Sequence, residues 1–269
     1  ATYGSAMPAI TKLPIRTGYT FGGYYTGKNG AGTQYYKADG TSATKWNLEG
    51  AQTLYAKWAP ITYSVKFNGN GSTSGSMSNQ SFTYDEAAKA LTTNAFKKTG
   101  YTFAGWNTAE NGSGISYADK ATVRNLTTTN NATINLYAKW TINQYTLTYS
   151  AGEGGSVTGT KESGAKLDYN TSITLTAAPE GENAFAQWVD EDGIKVSTTN
   201  PYTFKLTGNT TLKAEFSKPT TVYLKPSSAW KEHNAHFAIY AWGKTNSWVE
   251  MEAVDCEGEY YKANVPAGF

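Results

Sequence analysis

Gly18-Tyr19-Thr20-Phe21-Gly22-Gly23-Tyr24 returns 82 residues later as Gly100-Tyr101-Thr102-Phe103-Ala104-Gly105-Trp106. Thr53-Leu54-Tyr55-Ala56-Lys57-Trp58 returns at the same offset of 82 as Asn135-Leu136-Tyr137-Ala138-Lys139-Trp140. A third copy is fainter but keeps step. Ala184-Phe185-Ala186-Gln187-Trp188 follows Thr102–Trp106, and Tyr145-Thr146-Leu147-Thr148-Tyr149 follows Tyr63-Ser64-Val65-Lys66-Phe67, both at 82. The closing stretch of this copy, Thr211–Phe216, arrives at an offset of 76, so the third unit is shorter late on. A fixed period of this kind marks an array of small units, each one supersecondary module.

Each unit reads as strands. Tyr63–Phe67 and Tyr145–Tyr149 alternate apolar and polar residues, the period of a half-buried strand. Asn68-Gly69-Asn70-Gly71 and Gly152-Glu153-Gly154-Gly155 supply residues that tolerate positive φ, which predicts a hairpin after each opening strand. In the Tyr101–Trp106 stretch, Tyr101 and Phe103 share one face, Thr102 takes the other, and Gly105 marks a bulge or a close backbone approach. Asp85–Leu91 alone predicts a short helix, with acids at its start. Thr2-Tyr3-Gly4 aligns with Thr83-Tyr84-Asp85, so the first unit is expected to lack its opening strand and the chain to begin inside a repeat. The expected boundaries are repeat 1 at 1–60, repeat 2 at 61–141, a divergent repeat 3 at 142–218 and a last module at 219–269.

The composition agrees. Charged residues make up 16% of the 269 residues against a typical ~25%, while aromatics reach 14% with 20 Tyr and 8 Trp. Thr, Ser, Asn and Gly replace the missing charge, a mixture poor in helix formers and rich in strand and turn formers. Coiled coils and helical bundles are excluded. So is a nucleic-acid binder by charge, since 23 basic residues face 21 acidic ones. One cysteine, Cys256, rules out an internal disulfide framework and a cysteine-built metal site. No apolar run approaches the ~20 residues that cross a bilayer. A Thr/Asn/Tyr-rich chain with only two arginines, Arg16 and Arg124, associates by composition with secreted or surface bacterial proteins.

The Gly-Tyr-Thr-Phe-x-Gly-Trp and Leu-Tyr-Ala-Lys-Trp stretches, preceded by a Tyr-x-Val-x-Phe strand, resemble the Listeria–Bacteroides repeat of the internalin B-repeat type over residues 1–141. Residues 142–217 resemble its divergent relative, with Gln187 in place of Gly105 and Phe216 in place of the closing Trp. The resemblance implies a mainly β chain of tandem, small β-grasp-like modules on secreted or surface-anchored bacterial proteins. There they serve as spacers or weak adhesion modules without catalysis.

Composition shifts after Lys218-Pro219-Thr220. Thr221–Leu224, Phe237–Trp242, Trp248–Met251 and Tyr260–Pro266 read as strands, and their aromatic spacing resembles the opening part of a starch-binding β-sandwich, the family 26 carbohydrate-binding modules. About 50 residues are present where such sandwiches take ~100, so the chain is expected to end inside this module. Tyr240 and Trp242, two apart on a strand, project from one face as coplanar rings. With Trp248 on a neighbouring segment they form a candidate platform for a pyranose face. The resemblance places carbohydrate binding on Tyr240, Trp242 and Trp248. The same spacing fits a core face, and the pattern leaves both readings open. Trp230 reads as core or loop cover.

No catalytic residue is identified: GxSxG, HExxH and phosphate-cradling glycine loops are all absent from the sequence. His233 and His236 lack a third ligand at metal spacing and read as a solvated loop. Asp190-Glu191-Asp192-Gly193 lacks the distal ligands of a calcium loop and reads as a hairpin turn. Tyr19, Phe21, Trp58, Tyr101, Phe103, Trp106, Tyr137, Trp140 and Trp188 read as core, because a ~80-residue unit poor in Leu and Ile needs large rings. The expectation is therefore a non-enzymatic, extracellular or cell-surface protein without cofactor, metal, nucleic-acid partner or membrane span. Its expected partner is a starch-like α-glucan or a surface protein of a host or neighbouring cell. The alternatives are a protein-binding adhesin without carbohydrate affinity, or the non-catalytic part of a larger secreted glycan-degrading enzyme.

Overall fold

The computed structural model describes residues 1–231, 236–242, 246–254 and 260–265, without the side chains of Lys231, Trp242 and Asn246. The chain forms two compact units, Ala1–Thr141 and Ile142–Phe269. Both are built from β-strands, as the alternation requires.

In the first unit, repeat 1 contributes β1 (Tyr19–Tyr25), β2 (Gln34–Tyr36) and β3 (Tyr55–Pro60). They form one sheet in the order β2-β1-β3. Repeat 2 contributes β4 (Thr62–Asn68), β5 (Gln80–Thr83), β6 (Lys89–Ala90), β7 (Tyr101–Asn107), β8 (Ser116–Tyr117), β9 (Thr122–Val123) and β10 (Thr133–Ile142). Its main sheet has the order β5-β4-β10-β7-β8, in which the opening strand β4 lies parallel to the closing strand β10. Tyr63, Val65 and Phe67 on β4 meet Trp106, Leu136, Ala138, Phe82, Leu91 and Val123 in one buried cluster. Phe103, expected in the core, packs on Trp106 with ring centroids 5.0 Å apart.

The expected helix at Asp85–Leu91 does not form. Asp85 sits at φ 60°, in the left-handed region, and Lys89–Ala90 pair as a strand with Thr122–Val123. Seven residues are too few to hold a helix alone, and burying Leu91 in the core decides the conformation instead. Gly105 fulfils its expectation. Its φ is 116°, and a Cβ there would stand 2.6 Å from the Tyr117 carbonyl oxygen.

The second unit opens with repeat 3: β11 (Gln144–Ala151), β12 (Gly155–Gly159), β13 (Lys166–Asp168), β14 (Ser172–Pro179), β15 (Ala184–Val189), β16 (Lys195–Ser197), β17 (Tyr202–Lys205) and β18 (Thr210–Ser217). Its main sheet, β13-β11-β18-β15-β16, again pairs the opening and closing strands in parallel. A second sheet, β12-β14-β17, lies beside it in the sequence of the same repeat. The hairpin expected after β11 is therefore corrected. The chain turns at Gly154, but both edges of β11 are taken by β13 and β18, so β12 pairs with β14.

The remainder holds β19 (Thr220–Leu224), the one-turn helix α1 (Ser228–Lys231), β20 (Ala238–Trp242), β21 (Asn246–Glu250), β22 (Glu252–Ala253) and β23 (Tyr261–Val265). These strands make a β19-β23-β22 sheet and a β20-β21 pair.

Candidate functional site

Two places gather side chains whose arrangement goes beyond filling a core. The first is the junction of repeats 1 and 2. Only Ile61 separates β3 from β4, and it is buried. Gly18, at φ 75°, lies under the Tyr84 ring so closely that a Cβ would fall 2.2 Å from it. Tyr84 in turn meets the edge of Tyr19, centroids 6.0 Å apart. The Tyr19 hydroxyl donates to Asp85 Oδ2 at 3.0 Å. Asp85 Oδ1 accepts from Asn125 Nδ2 at 2.9 Å and from Arg124 at 3.2 Å, and Asn125 Oδ1 accepts the Asp85 amide at 2.8 Å. Arg16 covers the other side of Tyr19, 3.6 Å from its centroid.

These contacts shift both acids of the junction in complementary directions. Asn125, then Tyr19 and Arg124, hold the Asp85 carboxyl below its ordinary 3.8. The hydrogen bond to that carboxylate raises the Tyr19 hydroxyl above its ordinary 10.0. None of this was expected from the sequence, where Tyr19 read as core and Asp85 as the start of a helix. The signal available was the spacing: both unique arginines of the chain flank it.

The second place is the aromatic pair on β20 and β21. Tyr240 stands directly opposite Trp248 in the antiparallel ladder. Alternation sends Ala241 inward, where it is buried, and leaves Tyr240 41% and Trp248 68% exposed. The rings lie 5.0 Å apart at 49°, a wedge rather than a flat platform. Trp242 extends β20 opposite Asn246, and its ring lies outside the described residues. The structure thus brings two of the three expected residues together, on an accessible face. Trp230 is exposed on α1 and stacks on Phe237 at 5.9 Å, so it covers a loop and fills no core.

Other candidates find structural employment. Asp190 Oδ1 accepts from the amides of Asp192 and Ile194, and β15 and β16 pair across this turn, as expected of a hairpin. His236 is exposed, while His233 and Cys256 lie outside the described residues. Among the described residues no group of three or more His, Cys, Asp or Glu side chains could hold a metal ion. Likewise, no helix among them is long and apolar enough to cross a membrane.

Comparison with known families adds to this geometry. The family model of the Listeria-Bacteroides repeat domain matches residues 1–57 and 63–139. That of the divergent InlB B-repeat domain matches residues 145–220. Residues 1–139 thus carry Listeria-Bacteroides repeat domains, and residues 145–220 a divergent InlB B-repeat domain. A protein of Evansella cellulosilytica named as a Gly-rich membrane protein is 32% identical over 66% of this chain and 20% of its own length. A second, named as a membrane protein of the same organism, is 29% identical over 59% of the chain and 22% of its own length. The chain thus spans about a fifth of the length of the curated relatives it matches. No solved structure matches it. The repeat matches end at residue 220, so the starch-binding resemblance of residues 219–269 rests on those residues alone.

Proposed function

We propose that this chain is a non-catalytic stretch of a bacterial surface protein in which repeats 1 and 2 act as a stiff spacer. The observation that carries the reading is the one-residue connection at Ile61, closed by Tyr84 over Gly18 and by the Tyr19–Asp85–Arg124 contacts. A flexible linker would leave the repeats free to reorient; a buried connection with side-chain ties does not. The repeat family is of a surface type without known catalysis, and the relatives named as membrane proteins fit display on the cell envelope. Spin labels at exposed Thr41 in repeat 1 and Ser113 in repeat 2 test this. A narrow distance distribution in the wild type, broadened by Gly18→Val, is expected. A broad wild-type distribution overturns the spacer reading.

A second reading concerns the end of the chain. Tyr240 and Trp248, exposed and in ring contact, favour a weak carbohydrate site for an α-glucan. Two rigid rings bury large area at small entropy cost, which suits weak stacking on a pyranose face. Tryptophan fluorescence titrated with maltoheptaose should shift in the wild type and not in Trp248→Ala. A silent wild type leaves the protein-binding adhesin as the better account, which a pull-down lost on deleting residues 61–141 would support.

A further inference from the structure

Repeats 1 and 2 carry cations at matching surface positions, and repeat 3 reverses their sign. Lys98 places its Nζ 4.5 Å from the centroid of Tyr101. Its counterparts at the 82-residue offset are Arg16, 3.6 Å over Tyr19, and Glu180. Lys139 on β10 matches Lys57 in repeat 1 and Glu215 in repeat 3, where Leu-Lys-Ala-Glu-Phe replaces Leu-Tyr-Ala-Lys-Trp. Leu136 and Ala138 are buried on β10 just as Leu212 and Ala214 are on β18, so packing is kept while the charge between these positions inverts. The reversal runs through whole units. Residues 1–141 hold 13 Lys and Arg against 6 Asp and Glu, and residues 142–269 hold 10 against 15.

In repeat 2 both lysines line one open cleft of about 290 Å³, together with Tyr101, Trp140 and the exposed Glu110 among others. Trp140 is held in place. Its Nε1 donates to the Gly69 carbonyl at 3.0 Å, and its ring packs on Phe103 with centroids 5.6 Å apart. Among the described residues neither lysine makes an ion pair, and Lys139 Nζ reaches the Ser116 hydroxyl at a long 3.5 Å. In repeat 1 the matching groups are engaged within the chain: Tyr19 donates to Asp85, and Lys57 faces the Tyr25 ring at 5.6 Å.

We propose that the repeat 2 cleft binds a carboxylate-bearing sugar residue, of the kind that builds acidic polysaccharides. Trp140 and Tyr101 offer rigid rings to the pyranose, and Lys98 and Lys139 offer charge-assisted hydrogen bonds to its carboxylate. Two ammonium groups and the Glu110 carboxylate leave about one positive charge, which matches a singly charged carboxylate better than a phosphate monoester of about −1.5 to −2. The basic excess of the first unit draws a polyanion towards it. A neutral glucan gains nothing from these lysines, so the site is separate from the Tyr240–Trp248 pair, and it stands whether or not repeats 1 and 2 form a stiff spacer.

The test titrates tetragalacturonate into the 269-residue chain and follows the Trp140 indole N–H by NMR. That resonance should move and saturate. Maltotetraose, with rings but no charge, and tetraphosphate, with charge but no ring, should each bind at least about tenfold more weakly. The variants copy residues that the sister repeats already carry. Lys98→Glu and Lys139→Glu, after Glu180 and Glu215, should each weaken binding at least about tenfold, and Glu110→Lys, after Lys28, should tighten it about threefold. This gain of binding keeps the test decisive where a lysine variant loses its fold. A Trp140 resonance that stays still, or moves equally with maltotetraose or tetraphosphate, overturns the proposal. So do folded lysine variants that bind like the wild type. Sedimentation at low salt covers the acidic repeat 3 of a second copy as the rival occupant. Self-association lost in Lys98→Glu, with the Trp140 resonance unmoved by sugar, assigns the lysines to that contact and overturns the sugar site.

Discussion

Repeat 2 and repeat 3 place a tryptophan at the same point of the same strand and then diverge within one residue. After Trp106 comes Asn107, fully buried; after Trp188 comes Val189, also buried. Asn107 Nδ2 donates to the carbonyls of Gly112 and Gly114 and to Ser116 Oγ, while its Oδ1 accepts the amides of Ala109 and Gly114. One side chain thus stands in for the strand ladder that an eight-residue loop cannot make. Repeat 3 has a shorter turn, and the half-exposed Asp190 performs the lesser task of accepting two amides. The hydrophobic frame is therefore common to both repeats, and the polar residue that finishes the strand is fitted to loop length.

The largest effect expected from this contrast is at Asn107. Asn107→Ala removes the partner of the Ala109 and Gly114 amides and of the Gly112 and Gly114 carbonyls on a part-exposed loop, and should destabilise the first unit by about 2 kcal/mol. Asp190→Ala, on the half-exposed turn, should cost about 1 kcal/mol. Urea unfolding of both variants checks the ratio, and equal losses would erase the distinction.

Next comes the strand kink. Gly105 at φ 116° cannot take a side chain without pushing on the Tyr117 carbonyl, so Gly105→Ala should cost about 2 kcal/mol. Gln187 occupies the matching position at ordinary backbone angles, with the register shift falling between Phe185 and Gln187, and donates to Glu215 at 2.9 Å. Gln187→Ala should cost at most about 1 kcal/mol. A smaller difference separates the tryptophans. Trp188 Nε1 donates to the Thr199 carbonyl at 3.1 Å, whereas Trp106 Nε1 is buried without a hydrogen-bond partner among the described residues. Each Trp→Phe change removes the same ring area, but only Trp188→Phe strands an acceptor. It should be the more costly by about 1 kcal/mol in thermal melts.

The sequence made the frame legible because large rings at period 2 and a repeated offset are properties of the chain alone. Trp106, Trp188 and Gly105 could be placed that way. Asn107 could not. Asn-Thr-Ala-Glu-Asn-Gly-Ser-Gly reads as solvated loop, and the burial of its first residue depends on where the loop folds back. Asp85–Leu91 failed for a related reason: acids before alanines favour a helix locally, but Leu91 is drawn into the core and Lys89–Ala90 into a ladder. At the end of the chain, spacing brought Tyr240 near Trp248, while their 49° tilt depends on strand twist.

The smallest expected effect contrasts charge at one shared turn position. Asp85 and Asn170 both follow a tyrosine and both adopt left-handed backbone, at φ 60° and 67°. Their backbones are interchangeable, but only Asp85 titrates. Its folded carboxyl is held below the ordinary 3.8 by Asn125, Tyr19 and Arg124. A lowered carboxyl adds stability that is present above its unfolded value and is lost as pH falls through the folded one. The Tyr19 hydroxyl is raised above 10.0, so its share is present below that value and lost on going higher. The junction should thus be closed on the whole span from about pH 4 to about pH 10 and loosen outside it. Exchange at the Asp85 amide should therefore accelerate on acidification beyond its intrinsic trend, while exchange at the Asn170 amide, which donates to the Leu206 carbonyl at 2.7 Å, should follow its intrinsic trend. In Asp85→Asn the two amides should behave alike at every pH. If wild-type Asp85 keeps its protection well below its folded carboxyl value, the charge is incidental and the shared backbone turn alone holds the repeats together.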